Sequence, residues 1–187
     1  MKRLEPPRIG VRVLMEKEWG VTVAKPIEVV FDSYVQQLAQ IWDLGSLEAL
    51  TDGPIGEGTR LRQSGKAVWG IHDPTTLIEI DRYEPCRRLT WTATADVPGS
   101  VGTQEGFSTL YNMFISFGWG SEATADTHFL PLDESSTRLV VFGRNLVSRW
   151  GAVVNPFTRL FGYWWVNRRL LQFKIRAEGL EQVRIAI

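Results

Sequence analysis

The chain has 187 residues, of which 44% are hydrophobic and 22% charged, and its formal net charge at pH 7 is zero. That composition is one of a globular domain long enough to bury one sizeable core, and we read residues 1–187 as a single domain of α+β class. One cysteine (Cys86) excludes an internal disulfide framework, and two histidines argue against a metal site built from His and Cys, so neither a metal nor a cofactor is expected.

In chain order, MKRLEPPRIG lacks a continuous apolar segment, so no secretory signal is read, and a cytoplasmic location is expected. Val11, Val13 and Met15, then Val21 and Val23 after Gly20, alternate as in one bent strand or two short ones. Pro26 opens a helix with Glu28 near its favourable N-terminal dipole, and Val30, Phe31, Tyr34, Val35 and Leu38 form its apolar side. A second short helix is expected to carry Ile41 and Trp42 and to end at Gly45. Strand signals follow over 46–51, 59–69, 76–83, 88–95, 122–129 and 137–146, with Pro131 to Ser136 read as a turn. Leu89, Trp91, Ala93 and Ala95 share one face, as do Ala123, Ala125, Thr127 and Phe129; Glu122, Thr124, Asp126 and His128 take the other. Residues 98–120 hold an apolar stretch, TLYNMFISF, among glycines; it reads as a short helix or an added strand, and the segment as a plain edge strand or a movable cover.

Asn155-Pro156 opens the last element, a long helix predicted to run to about Val183. Tyr163, Val166, Leu170, Phe173, Ala177 and Leu180 form its apolar stripe. In its first half, Phe157, Leu160, Phe161, Tyr163, Trp164, Trp165 and Val166 surround the axis, the pattern of a buried segment, a cavity closure or a lipid contact. From Ser135 to Ala177 there are eight basic residues and no acidic one. A solvated face, an anionic ligand and an anionic membrane surface all fit that asymmetry, so peripheral membrane contact stays open. Nucleic acid is not expected as a partner, because these residues lie among bulky apolar ones without a binding motif. The window 146–166 holds two Arg and the Asn-Pro break, which makes it a poor transmembrane span.

Lys25-Pro-Ile-Glu-Val-Val-Phe31, Ile41-Trp-Asp43, Gly53-Pro-Ile-Gly-Glu-Gly-Thr-Arg60, Tyr83-Glu-Pro-Cys-Arg-Arg-Leu89 and Ser136-Thr-Arg-Leu139 occur in that order. Together they resemble the SRPBCC (START-like) superfamily, in its polyketide cyclase/dehydrase-like branch, over most of residues 20–183. The resemblance implies a helix-grip fold: a curved antiparallel sheet around a long C-terminal helix, with two short helices after the first strand and an apolar cavity between sheet and helix. It implies a hydrophobic small-molecule or lipid carrier, with a cofactor-free cyclase or dehydratase, or a protein- or membrane-docking module, as alternatives. The ligand-binding candidates are Trp91, Tyr83, Tyr111, Phe129, Phe161, Trp164 and Arg62. In a dry pocket Arg60 or Arg62, Tyr83, Tyr111 and Trp91 would orient a carbonyl or phenol. Arg144, Arg159 and Arg168 are candidates for an acidic head group at its rim. No general base, phosphate loop or paired-cysteine motif stands out; His72 and His128 read as a turn residue and an outer-face residue.

Overall fold

The computed structural model describes residues 11–38, 46–64, 76–95, 122–148 and 156–179. In chain order these form β1 (Val11–Val23), α1 (Ile27–Gln36), β2 (Ser46–Ala49), β3 (Arg60–Ser64), β4 (Thr76–Glu84), β5 (Arg88–Ala95), β6 (Glu122–Asp133), β7 (Ser136–Ser148) and α2 (Pro156–Ala177). The strands make one sheet in the order β1-β7-β6-β5-β4-β3-β2. Every neighbouring pair is antiparallel. The expected second helix at Ile41 and Trp42, the extension of β3 to residue 69, His72, the 98–120 segment and the Asn155 cap lie outside the described residues.

The N-terminal stretch is a single strand, with one shift of register between Val13 and Met15. Strands β4 and β5 join through Pro85 and Cys86, where Cys86 takes φ 55° and the Arg87 N–H donates to the Glu84 carbonyl at 3.0 Å. Proline at the second turn position and a left-handed residue at the third are the requirements of a type II turn.

Two boundaries differ from expectation. Pro131 does not turn the chain: β6 runs on to Asp133 and pairs with β7, with a register shift at Pro131/Asp133. Proline is tolerated because β5 stops pairing at His128, so this end of β6 needs partners on one side only. The last helix stops at Ala177, not Val183, and the expected Leu180 contribution lies outside the described residues. Gly179 has φ 74°, a left-handed glycine just past the helix of the kind that ends helices. At 22 residues α2 is about 33 Å long.

Its stripe is buried as the spacing requires, with Val166, Leu170 and Phe173 at 5% exposure or less, whereas Tyr163 is 39% exposed at the margin. Leu89, Trp91, Phe129, Val166, Leu170 and Phe173 all belong to one core, as their patterns predict. Its densest part is an aromatic cluster joining α1, β6 and α2. Phe129 meets Phe31 and Tyr34 edge-on at 5.0 and 5.4 Å, and Tyr34 meets Phe173 at 5.6 Å. Such contacts add about 0.5–1.5 kcal/mol each beyond area burial. The buried Tyr34 hydroxyl shares a 2.9 Å hydrogen bond with the Thr127 hydroxyl, which removes its desolvation penalty.

Candidate functional site

Cross-strand register divides the concave, helix-facing side of the sheet into rungs. One runs Val21–Leu139–Phe129, and the next Trp19–Val141–Thr127–Leu89–Tyr83. These carry large side chains, and α1 lies over them through Tyr34, Phe31 and their ring contacts. The third rung runs Lys17–Gly143–Ala125–Trp91–Ile80, and the fourth Met15–Asn145–Ala123–Ala93–Ile78. Across neighbouring β6 and β7 the side chains shrink from Phe129, Leu139, Thr127 and Val141 to Ala125, Gly143 and Ala123. Gly143, Ala125, Ala123 and Ala93 form a floor of small residues with Trp91 on one side, and Tyr163 of α2 stands at its β1 edge. α1 lies over one half of this face; the other half carries the small residues.

The opposite side of that floor is closed by Trp19. A Cβ on Gly143 would come within 2.7 Å of Trp19 Cζ3, so the indole lies against the glycine and only glycine admits it there. Trp19 is 3% exposed, and its Nε1 has no hydrogen-bond partner among the described residues. A buried donor left so costs about 1–3 kcal/mol. The Trp19 ring lies 6.2 Å from that of Tyr163 on α2, and Lys17 Nζ stands 3.5 Å from the Tyr163 ring centroid. Hydrogen bonding with Asn167, then the charge and hydrogen bond of Lys17, hold the Tyr163 phenol below its ordinary pKa.

Most ionisable groups of the sheet stand on its other, convex face. Arg88 Nε and Nη2 donate to the two Asp126 carboxylate oxygens at 2.7 Å each, Thr90 Oγ1 donates to Oδ1 at 2.8 Å, and His128 Nε2 lies 3.2 Å from Oδ2. Burial acts to raise the Asp126 pKa, but the bonds from Arg88 and Thr90 and the charges of His128 and Arg88 outweigh it and hold the pKa low. Two residues along, Thr92 Oγ1 donates to Asp81 at 2.7 Å. There burial wins: desolvation, aided by Glu79 and Glu122, raises the Asp81 pKa despite that bond. No carboxylate or histidine stands at a concave position of β1, β5, β6 or β7 among the described residues. His128 is on the outer face, as its alternation predicts.

The candidates named from sequence separate accordingly. Trp91 is 2% exposed and flanks the floor. Phe129 and the half-buried Tyr83 face the same side but belong to the aromatic cluster under α1, which makes them core, not floor. Arg62 is a correction. It pairs in register with Glu48 and Leu77 and shares the parity of Arg60, whose Nε pairs with Glu79 at 3.3 Å, so it belongs to the convex side. Trp164 is another, being 51% exposed on the side of α2 away from the sheet, with the Arg168 guanidinium 5.2 Å from its ring. Arg144, expected at the rim, is 8% exposed and stands in register with Glu16 and Thr124 on the convex face. Tyr111 and the side chains of Phe161 and Arg159 lie outside the described residues. Among those residues no group of His, Cys, Asp and Glu is arranged to hold a metal, and no helix is long and apolar enough to cross a membrane.

Solved structures of low sequence identity share this fold over nearly their whole length. Truncated norcoclaurine synthase from Thalictrum flavum matches with TM-score 0.57 and 12% identity, covering 91% of this chain and 96% of its own. For Ara h 8.0201 the values are 0.55, 16%, 91% and 97%. For the Zhui aromatase/cyclase from Streptomyces sp. R1128 they are 0.52, 19%, 94% and 96%. The chain has the helix-grip fold. No protein-family model and no curated protein matches it. Within the helix-grip frame, the small-residue floor and the Lys17–Trp19–Tyr163 corner are what sequence reading missed. The alternating alanines of β5 and β6 were a visible signal; the register bringing them together with Gly143 was not.

Proposed function

We propose that the protein binds a hydrophobic small molecule between the sheet and α2, over the floor formed by Gly143, Ala125, Ala123 and Ala93. One observation carries this reading: the concave face changes from large, interlocked aromatic residues to small ones within two rungs, at the half α1 does not cover. A sheet packed throughout would need large side chains there too, because interiors fill to crystal-like density. The guest supplies the missing apolar volume, and the flanking indole of Trp91 contributes a large flat surface. A lipid chain and a fused-ring compound both satisfy that description.

Catalysis is the lesser reading. The compared proteins include a synthase and an aromatase/cyclase, but the described carboxylates and histidine of the central strands stand on the convex face, away from the guest. A cyclase working by positioning alone needs no acid or base, and the same floor would serve it.

The test is a fluorescence titration with an uncharged probe, dansyl-undecanoic acid methyl ester. Saturable one-site binding is expected. Ala125→Phe should weaken it at least tenfold while the thermal midpoint stays within about 2 °C, because the new ring occupies guest volume. Failure of the ester to bind, with Ala125→Phe destabilising the protein by about 1–3 kcal/mol as in a filled core, would end the reading.

A further inference from the structure

We propose that the guest is an acid, and that the corner formed by Lys17, Trp19 and Tyr163 receives its carboxylate. This rests on the floor reading above and adds a polar end to it. Lys17 stands at a concave position of β1, in register with Gly143 at the edge of the floor; on the same parity of β7, Val147 pairs with Arg12 two rungs farther along. The strand neighbours of Lys17, Glu16 and Glu18, pair with Arg144 and Phe142 on the convex face, so alternation turns both carboxylates away from it. The Lys17 ammonium is held at 3.5 Å from the Tyr163 ring centroid, and the Tyr163 hydroxyl lies within reach of both Lys17 and Asn167.

Beneath this exposed pair is a buried donor. The Trp19 N–H, at 3% residue exposure, has no acceptor among the described residues, while its ring is pinned over Gly143. A cation and a hydroxyl stand beside a residue with a buried indole N–H at one end of the small-residue floor, which is also flanked by the Trp91 indole. That donor set fits an oxygen anion on a hydrophobic body: the ammonium supplies charge, the N–H and O–H supply direction. A cationic guest would meet Lys17. A fully apolar one would leave the indole N–H unsatisfied.

The experiment compares dansyl-undecanoic acid with its methyl ester at pH 7, by dansyl fluorescence, in the native protein and three variants. The native protein should bind the acid about tenfold tighter than the ester, equivalent to about 1.4 kcal/mol. Lys17→Met should bring that ratio to about one without weakening the ester. Trp19→Phe keeps a ring over Gly143 but removes the donor; it should weaken acid and ester by a similar factor of about three to ten, because both offer a carbonyl oxygen. Arg168→Met, on the exposed side of α2, should leave the ratio unchanged. An acid-to-ester ratio near one in the native protein, or one that Lys17→Met leaves intact, overturns the proposal while ester binding preserves the floor reading. An equal loss of ratio in Arg168→Met also overturns it, since general charge then explains the preference. If neither probe binds, the floor reading falls and this one falls with it.

Discussion

Removing the Asp126 carboxylate should unfold the sheet from its convex side. The side chain is 11% exposed and receives two bonds from Arg88 at 2.7 Å, one from Thr90 at 2.8 Å and a contact from His128 at 3.2 Å. Asp126→Ala leaves the guanidinium without a counter-charge in a place where Arg88 keeps only 27% of its side-chain exposure. Breaking a fully buried pair from one side costs about 3–5 kcal/mol. Residual water around Arg88 screens the stranded charge, so about 2–3 kcal/mol is the expected loss, or about 4–12 °C in Tm for a chain of this size. The pair itself is worth far less than that loss, because two charges had to be desolvated to form it. Arg88→Met with Asp126→Leu should therefore return to within about 1 kcal/mol of the native protein. Urea unfolding of native, single and double variants closes the double-mutant cycle. An Asp126→Ala cost below about 0.5 kcal/mol, or a double variant as unstable as the sum of its singles, would refute the reasoning.

Phe173→Ala empties a fully buried site against Tyr34 and should cost about 3–5 kcal/mol; an unchanged thermal melt would remove α2 from the core. The two convex-face aspartates should respond to acid with opposite signs. Asp126, whose folded pKa is depressed, contributes stability that is present above the unfolded value of about 4 and lost as pH falls through the folded one, so Asp126→Asn should flatten the acid limb of a stability–pH curve. Asp81, whose folded pKa is raised by burial first, opposes folding when ionised, so Asp81→Asn should stabilise at pH 7 and lose that gain as pH falls through the folded-state pKa.

What the sequence disclosed was periodic. Alternation in β5 and β6 separated Trp91, Ala125 and Phe129 from Thr90, Asp126 and His128 correctly, and the three-four spacing of α2 named Val166, Leu170 and Phe173. Parity within a strand is local, so it can be read without a partner. Register between strands is not local, and the site depends on it: whether Ala93 faces Ala123, and whether Lys17 falls beside Gly143, follows from pairings 30 to 126 residues apart. Arg62 and Arg144 were misplaced although parity is local. Their charge suggested contact with a ligand, Arg62 inside a dry pocket and Arg144 at its rim, while their parity puts both on the convex face. Trp164 was misplaced for another reason. Its stretch is apolar around the axis, so spacing did not indicate which aromatic residues meet the sheet.

The two faces of β5 and β6 answer each other. Small side chains on the concave floor bury little area per residue, and so contribute little to fixing the strands where the guest is proposed to sit. A slip of one residue between β5 and β6 would break the Arg88–Asp126 fork and the Thr90 bond together, leaving a mostly buried carboxylate unpaired. It would also carry Ala125 out of register with Trp91. A one-residue slip would also turn Leu89, Trp91 and Phe129 out of the core, so both faces oppose it. The bonded charges on the convex face and the large side chains beside the floor thus fix together the register on which the positions of Ala93, Ala123 and Ala125 depend.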